Sequence, residues 1–332
     1  MDAPAPLFQN LHASASPHPP RFTPPPVPAT PPQQTPRTRP ALSVCNLGSG
    51  SGGNCTALRL SAPHHPDAAV LIDLGFGPRT TAHRLAQASL APGDVAAALL
   101  THLDRDHYKP HWADTLLALR IPVHCDRWHA DELLATPGGP ALHRANLIRP
   151  FDAGSPFTLH TAPGRTLRVA THRCQHDRQG TVAFRLDDPA AHAAVAHATD
   201  LGHVPPPLIR LFAGVGLLSI EANYDEHMTI HSARPSFVNR RNLSDSGHLS
   251  NEQAFDAVAA IAARCPAGGP ARVLLLHRSS QCNHPTKLRR VFAQDPRLAR
   301  RTTLTDPRRR TRWFTVQTRR AVLTHQLPLC VA

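Results

Sequence analysis

Ala96–Pro110, AAALLTHLDRDHYKP, is the stretch on which the reading of this 332-residue chain turns. It opens with a short apolar run, Ala96–Leu100, of the length expected of a buried strand. The character then changes within one residue. Thr101-His102-Leu103-Asp104-Arg105-Asp106-His107 sets two imidazoles and two carboxylates into six positions. Such groups beside a core are costly unless a cation or hydrogen-bonding partners satisfy them. Alternate residues of an extended turn share a face, so His102, Asp104 and Asp106 can converge on one point while His107 reaches a second. Two divalent ions about 3.5–4 Å apart are what such a cluster can support. A polar surface loop with Asp104 and Arg105 paired is the ordinary alternative. Four ligand-type residues so close together at a strand end weigh against it.

The bulk composition narrows the class. The chain is long enough to bury a full core, as one large domain with tails or as two domains. A hydrophobic content of 41% fits a soluble globular protein, and no stretch approaches the roughly 18–20 apolar residues of a membrane helix. The opening MDAPAPLFQN lacks a basic region followed by an apolar one, so no secretory signal is expected. Cysteines 45, 55, 125, 174, 265, 282 and 330 are odd in number and contain no C-x-x-C. This argues against a disulfide framework and a thiolate zinc site, and the cytoplasm is the expected compartment.

The net charge of +13 is uneven: from Lys287 onward twelve Lys/Arg stand against Asp295 and Asp306, which puts +10 in the last 46 residues. A basic excess suggests an anionic partner, most simply nucleic acid. The abundance of Arg, Ala and Pro throughout the chain is the alternative origin of that charge. Residues 1–40 hold 13 of the 35 prolines and read as a disordered extension.

Between these ends the pattern alternates. Leu42–Leu47 reads as a strand, Gly48–Asn54 as a glycine-rich hairpin turn near a site edge, and Cys55–Leu60 as the returning strand. No G-x-x-x-x-G-K-[ST] is present, so the glycines are not a nucleotide P-loop. Ala68–Asp73 is a further buried strand, and Leu74-Gly-Phe-Gly-Pro78 turns the chain into a helix over Arg79–Ala88. Helices are expected over Pro110–Arg120, Trp128–Thr136 and Leu208–Ala213. Strands are expected over Ile121–Cys125, Thr166–Thr171, Thr181–Leu186, Ala193–Thr199, Gly216–Ile220 and Ala271–Leu276. Ser250-Asn-Glu-Gln253 has capping-box spacing and starts a helix to about Ala263. Strand after strand ends on a ligand-type residue: Asp73, His102, Asp200, His277. This is an α/β layered fold with its function grouped at strand ends, and two mixed sheets with outer helices would fit.

Over roughly residues 42–285 the successive blocks SVCNLGSGSGGNCTALRL, VLIDLGFGPRTTAHRL, LLTHLDRDH, QHDRQGTVAFRL, ATDLGHV, SIEANYDEHM, SGHLSNEQA and LLLHRSSQCNHP resemble metallo-β-lactamase-fold hydrolases. They are most like the YycJ/WalJ-like branch, which is similar to PhnP-type phosphodiesterases and more distantly to tRNase Z. The resemblance implies a four-layered αββα sandwich of two mixed sheets over residues 41–285, with residues 286–332 an Arg-rich extension. It also implies two divalent metal ions. The first would be held by His102, Asp104 and His176, the second by Asp106, His107 and His277, with Asp200 bridging. Asp104 departs from the family pattern, which has a histidine there; a harder oxygen donor tilts the preference from zinc toward manganese or iron. His172 competes with His176 for its role. His248, two residues before a helix cap, stands where phosphodiesterase relatives have a general-acid or phosphate-orienting histidine, and His277 is taken as the ligand in preference to it. Asp73 is expected to support the cluster from behind, while Glu221 and Asn223 either touch the metals or hold the loops around them. His64, His65, His83, His111, His124 and His129 read as surface or core histidines, with His111 able to reach the metals if Asp104 binds weakly.

The chemistry implied is hydrolysis by a hydroxide that the two cations generate from a bridging water, with Asp106 in the catalytic centre and His248 supplying the leaving-group proton. A phosphodiesterase or nuclease is the first expectation, a DNA exonuclease among its forms. A small-molecule hydrolase of a cyclic phosphodiester, lactone or thioester shares every ligand. A non-catalytic nucleic-acid-binding relative is the third class.

Overall fold

Strands that are apolar on both faces build the centre of the molecule. The computed structural model describes residues 39–316 except 163 and 266–268. The disorder expected over residues 1–40 therefore concerns positions that lie, all but the last two, outside the described residues, as do Arg319, Arg320 and Cys330.

The first sheet takes β1 (Ala41–Gly48), β2 (Cys55–Ser61), β3 (Ala68–Ile72), β4 (Val95–Leu99), β5 (Val123–Asp126) and β6 (Ile148–Phe151). The second takes β7 (Phe157–Ala162), β8 (Arg165–Cys174), β9 (Thr181–Asp188), β10 (Ala193–Ala198), β11 (Leu217–Glu221), β12 (Arg272–Leu276) and β13 (Thr302–Leu304). A short β14 (Phe314–Thr315) returns to pair antiparallel with β1, giving each sheet seven strands in the orders β14-β1-β2-β3-β4-β5-β6 and β13-β12-β11-β10-β9-β8-β7. Both sheets are mixed: β3 to β6 and β10 to β13 run parallel, the other neighbours antiparallel.

Side chains of a strand alternate between faces, and the two faces of these sheets enter different cores. From the first sheet Leu42, Val44, Val70, Ile72, Ala97 and Leu99 meet Leu167, Val169, Phe184, Leu186, Val195 and Leu274 of the second in a central core. The alternate residues Cys45, Leu47, Ala69, Leu71 and Ala98 pack outward. They lie under α1 (Pro78–Gln87), α2 (Ala113–Leu119), α3 (Arg127–Ala135) and α4 (Gly139–Arg144). On the far side Ala196, Leu218, Val273 and Leu275 pack outward against α5 (Pro206–Phe212), α8 (Asn251–Ala263), α9 (Pro285–Phe292) and α10 (Pro296–Arg301). The small helices α6 (Glu226–Ile230) and α7 (Ser236–Asn242) lie in the connection from β11 to α8. The layers are therefore αββα. The capping box is present at α8, where the Gln253 N–H donates to Ser250 Oγ at 3.1 Å and the Ser250 N–H to Gln253 Oε1 at 2.8 Å.

Packed elements continue past residue 285, where the domain was expected to end. α9 buries Leu288, Val291 and Phe292, α10 buries Leu298, and β13 and β14 each complete a sheet edge. The density of arginine concealed this amphipathic spacing, because the apolar residues at 288, 291 and 292 form one face and the arginines occupy the others.

Candidate metal centre

The ligand-type residues gather because the strands that carry them end together. Asp73 follows β3, His102, Asp104, Asp106 and His107 follow β4, His176 follows β8, Asp200 follows β10, Glu221 closes β11 and His277 follows β12. Asp73, Asp200 and His277 adopt positive φ angles of 64°, 55° and 52°. Non-glycine residues are uncommon there and such conformations concentrate at functional sites. At each of these three positions the chain turns at once as it leaves the sheet. Gly75 permits a close backbone approach: a Cβ there would lie 1.8 Å from the Asp106 carbonyl oxygen. The Leu74 N–H donates to the His107 carbonyl at 2.7 Å, so the LGFG turn braces the ligand loop.

Asp200 sits in the middle, 2% exposed. Its Oδ2 is 2.9 Å from His107 Nε2, and its Oδ1 is 3.3 Å from both His248 Nδ1 and His277 Nδ1 and 3.8 Å from His176 Nε2. His277 Nε2 is 3.0 Å from Asp106 Oδ2. Asp104 is the most open member, its side chain 52% exposed, with Oδ2 3.7 Å from His102 Nε2. Donor atoms within 4.8 Å of one another form four overlapping groups: His102, Asp104 and His176; Asp106, His107 and His277; His102, His107 and Asp200; and Asp200, Glu221, His248 and His277. The two ligand triads inferred from the sequence are the first two of these. Asp200 belongs to the other two and touches both triads.

Each imidazole is fixed by its remote nitrogen, which is how ligand histidines are commonly oriented. His107 Nδ1 contacts Asp73 Oδ2 at 2.8 Å, and Asp73 is itself held by the Thr101 N–H and hydroxyl at 2.9 Å. His176 Nδ1 donates to the Gly247 carbonyl at 2.9 Å. His248 Nδ1 lies 2.8 Å from Glu221 Oε1, and His277 Nδ1 3.3 Å from the same oxygen. Glu221 Oε2 accepts from the Leu201 N–H at 2.7 Å and the Leu249 N–H at 3.4 Å. Asn223 Nδ2 donates to the His277 carbonyl at 2.8 Å. Asp73, Glu221 and Asn223 thus stand behind the histidines, and Glu221 joins the cluster itself.

Asn54 was not singled out in the sequence, yet its Nδ2 is 3.0 Å from His107 Nε2 and 3.4 Å from Asp106 Oδ2. The glycine-rich turn that ends on it was the available signal. Ser49 of the same turn accepts the His277 N–H at 2.8 Å. His172, paired within β8, and His111, exposed before α2, belong to none of the four donor groups. His64, His65 and His83 are exposed, and His129 is buried on α3.

The residues present fit a cationic occupant. Five carboxylates, Asp73, Asp104, Asp106, Asp200 and Glu221, converge on one small volume, and only Asp104 is largely open to water. Burial and the neighbouring His107 push the His102 pKa well below its ordinary value. Its Nε2 is buried with no hydrogen-bond partner, the state of a nitrogen whose partner is a metal. Burial disfavours a charged His107, but Asp200 and Asp73 outweigh it and raise that pKa well above the ordinary value. His277 likewise resists burial through Asp200, Asp106 and Glu221, and its pKa rises to about 10. Burial would raise the pKa of Asp200, yet His277 and His107 hold it well below the carboxylate range. Two protons on His107 and His277 offset part of an excess negative charge that divalent cations would neutralise more fully.

Residues 68–277 match the Beta-lactamase superfamily domain. The chain is 26% identical over 220 residues to the exodeoxyribonuclease YycJ of Bacillus anthracis, covering 64% of this chain and 75% of that protein. It is similar in structure to the metallo-β-lactamase-fold protein YhfI of Bacillus subtilis, with a TM-score of 0.56 at 15% identity, over 83% of this chain and 99% of that one. Human tRNase Z, short form, aligns with a TM-score of 0.53 at 15% identity over the same shares. With the αββα layers, the strand-end cluster and a family match spanning most of the domain, the chain belongs to the metallo-β-lactamase superfamily of hydrolases.

Proposed function

We propose that this protein is a metal-dependent phosphodiesterase that acts on DNA as a nuclease. The observation that carries the reading is the pairing of two ligand triads around Asp200 with a further histidine, His248, held by Glu221 at the mouth of the cluster. His102, Asp104 and His176 would hold one divalent ion and Asp106, His107 and His277 the other, with Asp200 between them. When bound, the pair supplies Lewis-acid polarisation of the phosphoryl group and an activated water.

The chain's own residues do the rest. Asp73 and Glu221 keep the histidines oriented, so binding requires little rearrangement. His248 presents Nε2 because Nδ1 is engaged by Glu221, and it gives its proton to the departing oxygen. Glu221, itself fixed by two backbone N–H groups, holds the proton that stays on Nδ1 after the transfer. A general acid of this kind contributes typically 10²–10⁴-fold.

Support for DNA as substrate comes from the exodeoxyribonuclease named among its relatives and from the net charge of +13. The carboxylate Asp104 in a position otherwise filled by imidazole favours manganese or iron over zinc. The six described cysteines are buried free thiols, which supports a cytoplasmic setting. Among the described residues no helix is long and apolar enough to cross a membrane.

The test joins elemental analysis of protein purified without chelator to assays on end-labelled single- and double-stranded DNA. About two metals per chain, with DNA degradation lost in Asp200→Ala, is the expected result. Cleavage of a generic aryl phosphodiester with no degradation of DNA would reassign the site to small molecules.

A further inference from the structure

The segment between Asn223 and His248 leaves the metal cluster and returns to it. Asn223 holds the His277 carbonyl at its start, and Gly247 accepts from His176 Nδ1 at its end. In between, the turn after α6 is tied to α7 by Asn239 Nδ2 donating to Ser232 Oγ at 3.0 Å. This segment carries Ile230, Phe237 and Leu243, three of the five large hydrophobic side chains exposed among the described residues. Single exposed apolar residues are ordinary. Three in one short segment on the rim of an active site mark a contact surface.

The side chains around them are basic. On α7, Phe237, Arg240 and Arg241 stand at i, i+3 and i+4, the spacing that puts residues on one helix face, and all three are exposed. Arg241 forks onto Asp177, the residue after His176, which fixes that face against the wall of the cluster. Between Glu226 and Asp245 the segment has Arg234, Arg240 and Arg241 and no carboxylate. Beside it runs an open groove of about 780 Å³ lined by His227, Met228, His231, Arg234 and Gln281. Arg234 Nε donates to Gln281 Oε1 at 2.7 Å, four residues beyond His277.

We infer that this face is a subsite for an unpaired nucleic-acid strand, on which a base stacks against Phe237 while Arg240 meets an adjacent phosphate. The inference rests on the nuclease reading above. An exposed ring flanked by cations suits a single strand, whose bases offer free faces and whose backbone is anionic. A blunt duplex covers all its base faces except the two at its ends, so it offers Phe237 far less than a single strand does. A second copy of this chain fits poorly, since a self-paired face would set arginines against arginines.

Fluorescence anisotropy of the full chain with a labelled phosphorothioate oligothymidylate, which resists cleavage, tests it beside a blunt duplex of equal length. Phe237→Ala should weaken single-strand binding by about tenfold to a hundredfold, the range of one base–aromatic stack, and change duplex binding by far less. Phe237→Tyr should restore it. Arg240→Gln should lower the salt slope for the single strand by about 0.7. Wild-type affinity in Phe237→Ala, equal losses on both probes, or full rescue by Phe237→Leu would each overturn the subsite. So would a wild-type dimer that Phe237→Ala dissociates. A chain that binds the strand through Phe237 yet cleaves no phosphodiester keeps the subsite and loses the nuclease reading. One that degrades DNA yet binds the single strand equally well with or without the Phe237 ring does the reverse.

Discussion

Glu221 Oε1 reaches both His248 and His277, and the two histidines differ in what else they touch. His277 Nε2 contacts Asp106, inside a ligand triad, and is 3% exposed. The His248 side chain is 14% exposed, and the carboxylates it meets among the described residues, Asp200 and Glu221, engage Nδ1. His248→Ala should therefore retain both metals and the fold while activity falls by about 10²–10⁴. The loss should shrink on a nitrophenyl ester, whose leaving group needs no proton. His277→Ala should instead lose a metal and fail on every substrate; an emptied metal position in His248→Ala would exchange the two roles. Asp104 offers a second test. Asp104→His should move the loading preference in competition from manganese toward zinc, since imidazole is the softer donor, and an unchanged preference would place Asp104 outside the coordination sphere. Residues whose chemistry is declared by type and place, such as His102, Asp106 and Asp200 at strand ends, were legible in the sequence. Asn54 was not, because an asparagine after glycines reads as a turn residue, and its contact to His107 spans 53 positions.

At the scale of elements the sequence exposed the strands best, since β1, β3, β4 and β10 are apolar runs buried on both faces, bounded by glycine or acidic residues. The short edge strands β13 and β14 were hidden. Thr302–Leu304 and Phe314–Thr315 have too few residues to show a period and gain their structure from β12 and β1. The arginine run between them is partly structural: Arg310 bonds the Gln87 and Thr311 carbonyls, and Arg84 Nη2 donates to the Pro307 carbonyl at 3.1 Å. The consequence is testable by truncation after Pro285. Leu288, Val291 and Phe292 alone remove about 5–9 kcal/mol of burial, comparable with the whole stability of a domain. The truncated chain should give no cooperative thermal transition by circular dichroism. A transition at the full-length temperature would restore the boundary at 285.

Across the whole molecule, the metal cluster is where the two sheets are joined by charge. Asp73, Asp106 and His107 come from the first sheet; Asp200, Glu221 and His277 come from the second. The contacts His107–Asp200 at 2.9 Å and His277–Asp106 at 3.0 Å cross between them. Without metal these contacts need protons on His107 and His277. A histidine whose folded pKa is raised stabilises the fold fully below its unfolded value of about 6.5. That stabilisation is lost as pH rises through the folded value, about 10 for His277. The depressed Asp200 acts at the other end, stabilising above about pH 4 and failing as pH falls further. Chelated protein should therefore be most stable near pH 5–6.5 and lose melting temperature steadily from pH 7 toward 10. Divalent ions displace those protons and bind more tightly as the pH rises. The metal-induced gain in melting temperature should then widen between pH 6.5 and 9.5, read by calorimetry of loaded and chelated samples. A gap that stays constant over that range would mean that His107 and His277 carry no exchangeable protons in the metal-free fold, and that the junction of the sheets is held by packing alone.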